Sequence, residues 1–290
     1  MRCTTMSAAL LLGALLLLPE TSRASAPPQN WLTDYSQAAA QARREKKMLL
    51  ILFCASCDAS RCDSLEKGAL LDPRVREKLN GVVRLRVPLD AEIRPGGKAM
   101  KLIDHSSLAE MLGRQGIAMI DYAHKKADYY ETVVSCFPMM NNQPYSADKV
   151  LVMLGLPPGT LTQRTVIYAV RTHPECPAST EGQFNSDLAE EAESHSIYQA
   201  SIRLQGHHNW ERRFYRINGE LGNGATASEV CAESWPGEGL LQGAIECVRS
   251  WRLSAGHWRA VRSRHRCYGY DIQRGNNGIW YATGIFGGRQ

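Results

Sequence analysis

Three sulfurs crowd one short stretch, Cys54-Ala55-Ser56-Cys57-Asp58-Ala59-Ser60-Arg61-Cys62. A C-x-x-C pair that follows a strand and opens a helix can exchange disulfides, because the helix N-terminus lowers the thiol pKa. The same cysteines can instead form a structural bridge, or stay reduced and inert. A second set of reactive side chains is spread through the C-terminal half. His207 and His208 follow Gly206, Glu229 sits in Ser228-Glu229-Val230, and His257 ends Ser254-Ala255-Gly256-His257. Two imidazoles and a carboxylate can bind a divalent metal, with zinc the usual choice for mixed nitrogen and oxygen ligands. The same trio can do acid–base work. No motif sets a serine or cysteine nucleophile beside it, which makes hydrolysis the weakest of its readings. His195 borders a small-residue stripe and reads as a packed group.

The elements that must position these residues fall into two halves. In the first, Asp34 to Lys47 reads as a charged helix with alanines on one face. Met48 to Phe53 is a continuous apolar run that suits a buried strand. Leu65 to Leu79 and Ser106 to Leu112 read as helices, and Val82 to Val87, Ile117 to Asp121 and Glu131 to Cys136 as strands. This order predicts a mixed sheet with helices on both faces. Ala147 to Leu154 reads as a helix that closes the half. Leu156-Pro157-Pro158-Gly159 is then a breaker cluster, and the boundary is drawn there.

The second half opens with helices. Small or apolar residues recur at Leu188, Ala189, Ala192, Ser196 and Ala200. Leu241, Ala244, Val248 and Trp251 recur at three and four, one buried helical face. The period then changes. Tyr268, Tyr270 and Ile272 alternate, Arg274 to Gly278 form a turn, and Ile279, Tyr281, Thr283 and Ile285 alternate again, which predicts a hairpin.

The chain has 290 residues, enough for two domains, and 44% hydrophobic with 22% charged residues excludes wholesale disorder. A net charge of +5 without a long Lys/Arg run does not point to nucleic acid. Arg2, the apolar run Ala8 to Leu18 and Ala24-Ser25-Ala26 fit an export signal cleaved after Ala26. No later run is long enough for a transmembrane helix. The expected organisation is therefore a signal peptide over 1–26, one domain over 27–157 and another over 158–290, secreted or held in the periplasm or cell envelope. Of the nine cysteines, Cys3 leaves with the signal. Cys54, Cys57, Cys62 and Cys136 then lie in the first half, and Cys176, Cys231, Cys247 and Cys267 in the second. These even sets are compatible with two bridges per domain, or with free buried thiols.

Two family resemblances add to this reading. The stretch from Trp31 to Leu154, with its strand, cysteine cluster and helix, resembles the thioredoxin-like superfamily. The resemblance implies a thioredoxin-like α/β sheet. Cys62 falls in the place of the family's second active-site cysteine, but Ala59 stands three residues before it. Gln115 precedes the later strand where the family has a proline. A degenerate fold with structural or inert cysteines is the stronger reading. Residues 163 to 287 resemble the CAP superfamily (cysteine-rich secretory, antigen 5 and pathogenesis-related proteins, the SCP-like domains) in its bacterial form. The W-x-x-S-x-G-H segment is complete from Trp251 to His257, and Ser228-Glu229-Val230 takes the place of the family's G-E-N. The resemblance implies an α-β-α sandwich of the α+β class. It implies a cleft lined by His207 or His208, Glu229 and His257, with Ser254 where animal members carry a second glutamate.

The favoured function is an exported binding or structural module rather than an enzyme. It requires no cofactor, and its cleft is expected to take a weakly bound zinc or other divalent metal, a small molecule, a lipid or a peptide. The alternatives are a thiol–disulfide oxidoreductase using Cys54, Cys57 and Cys62, and a hydrolase using the His–Glu cleft.

Overall fold

Asp34 starts the first element. Its Oδ1 accepts a hydrogen bond from Gln37 N at 2.7 Å and caps helix α1 (Tyr35–Glu45), which buries Ala38, Ala39 and Ala42. The apolar run that follows is strand β1 (Leu49–Cys54), buried at every position. A computed structural model describes residues 31–55, 60–140, 143–222 and 225–289 of the chain. The proposed signal over 1–26 and Cys57 lie outside the described residues.

The stretch read as one helix from Leu65 to Leu79 is two, α2 (Ser60–Lys67) and α3 (Pro73–Leu79), with a 3-10 turn at Ala69–Leu71 between them. Pro73 is the reason. It cannot donate to a preceding turn, so it opens a new helix, capped by Asp72. Strand β2 (Val83–Pro88) follows, then a small hairpin of β3 (Glu92–Ile93) and β4 (Met100–Lys101). The segment expected as a helix near Ser106 is a 3-10 stretch, Ser106–Met111, stopped by the left-handed Leu112. Strands β5 (Gly116–Ile120) and β6 (Val133–Pro138) complete a sheet of order β2-β1-β5-β6. β1 and β2 run parallel, and the other pairs are antiparallel. α4 (Ala147–Leu154) covers this layer up to the proline cluster.

Beyond the cluster, α5 (Leu161–Arg171) is buried from Gln163 to Val170 and begins in a Thr160/Gln163 capping box. Arg164 turns back toward the first sheet. Its guanidinium donates to the carbonyls of Val134 and Pro157 and to Ser135 Oγ, at 3.1, 2.7 and 3.0 Å. The remaining elements are β7 (Gln183–Phe184), α6 (Ser186–Ile202), α7 (Trp210–Leu221), β8 (Ala227–Glu233), α8 (Leu240–Leu253), α9 (Ala255–Arg262), β9 (His265–Arg274) and β10 (Trp280–Arg289). The second sheet has the order β7-β9-β10-β8, with β7 parallel to β9 and the rest antiparallel.

Alternation along β9 sends side chains to two helical layers. Tyr268, Tyr270 and Ile272 pack in one apolar cluster with Leu241, Ala244, Val248 and Trp251 of α8. Cys267 packs on the other face with Leu188 and Ala192 of α6 and Ile217 of α7. Gly269 lies on the α6 face, where a Cβ would run into the backbone of Leu188 and Ala189. The α8 cluster continues through Tyr168 and Ile167 of α5 to Leu50, Leu52 and Phe137 of the first sheet. The architecture is thus two mixed sheets, each flanked by helices, in line with an α/β layer followed by an α+β layer. Among the described residues no helix is long and apolar enough to cross a membrane.

The cysteines pair less than their even numbers allowed. Cys54 and Cys62 form a disulfide and are buried. Cys136, Cys231, Cys247 and Cys267 are free and buried, and Cys176 is free and exposed. Large apolar layers make further bridges unnecessary for stability here.

Candidate functional site

Helix α6 does not carry His207 on an inward stripe, as an extended helix would. It ends at Ile202, and Arg203 takes the left-handed conformation that stops it. His207 is placed instead by the loop that follows. Gly206 N donates to Gln199 Oε1 at 3.0 Å, and His195 Nε2 donates to Gly206 O at 2.8 Å. Gln199 is in turn held by Thr283 Oγ1 on β10, at 3.0 Å from its Nε2. Both polar groups of Gly206 are therefore clamped by α6, and the next residue has little freedom.

From that anchor the His207 ring reaches over β8. Its Nδ1 lies 3.0 Å from Glu229 Oε1, and its Nε2 lies 3.2 Å from His257 Nε2. His257 arrives from the other side, in the first turn of α9, at the corner that Ser254 makes between α8 and α9. The corner is fixed because Trp251 is fully buried against Tyr270, with ring centroids 5.8 Å apart. Ser254 itself makes no capping hydrogen bond through its side chain. His208 turns away from this group. Its Nε2 donates to Leu204 O at 3.2 Å, and its ring packs edge-on to Tyr198.

Glu229 lies mid-strand, paired with Ile285 of β10, and its side chain is wholly buried. Its second oxygen, Oε2, is 2.6 Å from Arg213 Nη2 of α7, and Arg213 stacks on Trp210. Burial alone would raise the Glu229 carboxyl pKa. The hydrogen bond to His207 and the charge of Arg213 outweigh it, so the group sits below the usual carboxylate range. Burial and the neighbouring His207 hold His257 below the ordinary imidazole value. Burial also lowers His195, against the pull of Glu229. Both rings are therefore neutral at pH 7.

In the tautomer whose Nδ1–H donates to Glu229, the His207 ring presents a lone pair at Nε2. The edge at His207 and His257 is open to solvent, while Glu229, Arg213 and His195 form a buried floor. Of the residues beneath the ring, His195 is buried as its reading as a packed group implies, Cys231 stands in the sequence reading only among the second-half cysteines, and Arg213 has no place in it. Cys231 Sγ lies 3.8 Å from His207 Nδ1. The signal that could have found it is its position two residues after Glu229, on the same face of a strand. Nothing in the sequence marks Arg213.

The cysteine bridge stands apart from this site, on the first sheet. Cys62 Sγ lies 3.4 Å from Gln115 Oε1.

No protein-family model matches the chain, and no curated protein matches it. Among solved structures, the solution structure of a thioredoxin from Thermus thermophilus is similar over 25% of this chain and 71% of its own, at 15% sequence identity and a TM-score of 0.19. This is a weak and partial likeness to a thioredoxin fold over one quarter of the chain.

Proposed function

We propose that the chain is an exported binding protein with a CAP-like C-terminal domain, in which His207 and His257 hold a divalent metal and Glu229 orients His207. The observation that carries the reading is the 3.2 Å between the two Nε2 atoms. A tetrahedral zinc with bonds of about 2.0–2.1 Å to nitrogen keeps two imidazole nitrogens roughly 3.3–3.4 Å apart. The donor chemistry fits as well. A carboxylate behind the far nitrogen of a ligating histidine fixes its tautomer and raises its basicity. Bound there, zinc would supply a Lewis acid with open positions for an anionic or carbonyl-bearing ligand. Two protein donors make for weak binding.

The CAP-like reading draws on the helix layers on both faces of the second sheet and on the complete Trp251 to His257 segment. The thioredoxin-like reading of the first half draws on the strand order and on the parallel β1/β2 pair. The buried Cys54–Cys62 bridge favours a structural role over thiol exchange. A hydrolase finds less support, because the thiol nearest the histidines, Cys231, is buried on the Nδ1 side of His207.

Imidazole nitrogen resonances of the full chain test the metal reading. Zinc addition is expected to shift the Nε2 signals of His207 and His257 together and to leave His208 unmoved. Zinc binding that leaves His257 Nε2 unmoved contradicts it.

A further inference from the structure

A second donor set lies on the other side of the His207 ring. Glu229 and Cys231 are two apart on β8, so both side chains leave the same face of the strand. His195 comes down onto that face from α6. One ligand atom from each of the three lies within 4.8 Å of the other two, and His195 Nε2 is 3.8 Å from Glu229 Oε1. All three are buried, with His195 at 2% and Glu229 at 0% side-chain exposure. Arg213 occupies Oε2, which leaves Oε1 as the oxygen facing the imidazoles and the sulfur. His207 Nδ1 lies 3.0 Å from Oε1 and 3.8 Å from Cys231 Sγ, so a proton on it can be donated to a thiolate as well as to the carboxylate.

We infer that His195, Glu229 and Cys231 form an inner, thiolate-containing site for a thiophilic divalent cation, separate from the outer His207–His257 position. Zinc bonds of about 2.0–2.2 Å to nitrogen or oxygen and about 2.3 Å to sulfur set ligand atoms roughly 3.3–3.8 Å apart, so a short inward movement closes the trio. On binding, the sulfur–metal bond replaces the S–H bond of Cys231 and the proton leaves to solvent. His195 gives up its hydrogen bond to the Gly206 carbonyl, its Nε2 proton moves to Nδ1 by exchange with solvent, the freed Nε2 lone pair binds the metal, and no oxidation state changes. A nitrogen, oxygen and sulfur set selects zinc, cobalt(II) or cadmium, whereas magnesium and calcium take oxygen ligands. The two positions share Glu229 and the His195–Gly206 contact, but His257 contributes nothing to the inner one, so removing His257 takes away the outer position and leaves all three inner ligands.

Cobalt(II) titration of the metal-free full chain tests the inference. A near-ultraviolet thiolate-to-cobalt charge-transfer band is expected in the wild type, retained in His257→Ala and lost in Cys231→Ser. No band in the wild type, or a band that survives Cys231→Ser, overturns the site. X-ray absorption on His257→Ala loaded with cobalt or zinc gives the same answer without altering the cysteine. One sulfur in the metal's first shell supports the site, and a shell of nitrogen and oxygen alone overturns it.

Discussion

Glu229 is the residue on which the site turns, because it binds in three directions at once. Arg213 takes one oxygen, and His207 and His195 face the other. Replacing the charge strands Arg213, whose side chain is only 11% exposed. Breaking a buried ion pair from one side costs about 3–5 kcal/mol, so Glu229→Gln is expected to lose about 3 kcal/mol in urea denaturation. Glu229→Gln combined with Arg213→Leu should recover much of that loss. The sign with pH follows from the lowered carboxyl pKa. Stability from Glu229 is present above the ordinary carboxylate range and disappears as pH falls through the folded-state value. At this scale the sequence is informative where spacing survives folding. The Trp251 to His257 segment marks His257, and Gly206-His207-His208 marks the facing pair without deciding between them. The choice of His207 is made by Gln199 and His195 clamping Gly206, a tertiary arrangement with no local signature.

Helices and strands with one strong period were readable in advance. α8 follows the spacing of Leu241, Ala244, Val248 and Trp251, and the β9–β10 hairpin follows its alternating aromatics. Where breakers compete with apolar period, the breakers win, as Pro73 does between α2 and α3. Asp271 is invisible to either kind of pattern. It lies within β9 and is fully buried, with Thr162 Oγ1 donating to Oδ2 at 2.7 Å and Gln273 Nε2 donating to Oδ1 at 2.8 Å. Burial pushes its carboxyl up to about 8 in spite of these bonds, and the charge of Glu193 adds to the rise. A raised carboxyl pKa stabilises the fold fully below the unfolded value of about 3.9, and the contribution is lost as pH climbs through about 8. Asp271→Asn should therefore flatten the fall in stability between about pH 4 and pH 8. Equal wild-type and variant unfolding midpoints across that interval would show that Asp271 is not the group responsible.

Across the whole molecule, α5 is the joint. It belongs by sequence to the second half, yet Arg164 ties it to β6, and its apolar residues join the cores of both sheets. Such a joint follows from the buried length of α5, which no boundary drawn at Pro157-Pro158 reveals. The buried Cys54–Cys62 bridge and the histidine edge are built on different sheets. The proposed function rests on the corner where the loop after α6 meets the start of α9. Anomalous diffraction at the zinc edge from a zinc-soaked crystal of the full chain tests that corner most directly. The account predicts a peak within about 2.0–2.1 Å of both His207 Nε2 and His257 Nε2. A zinc-soaked structure in which those two nitrogens still face each other with no metal between them would contradict it.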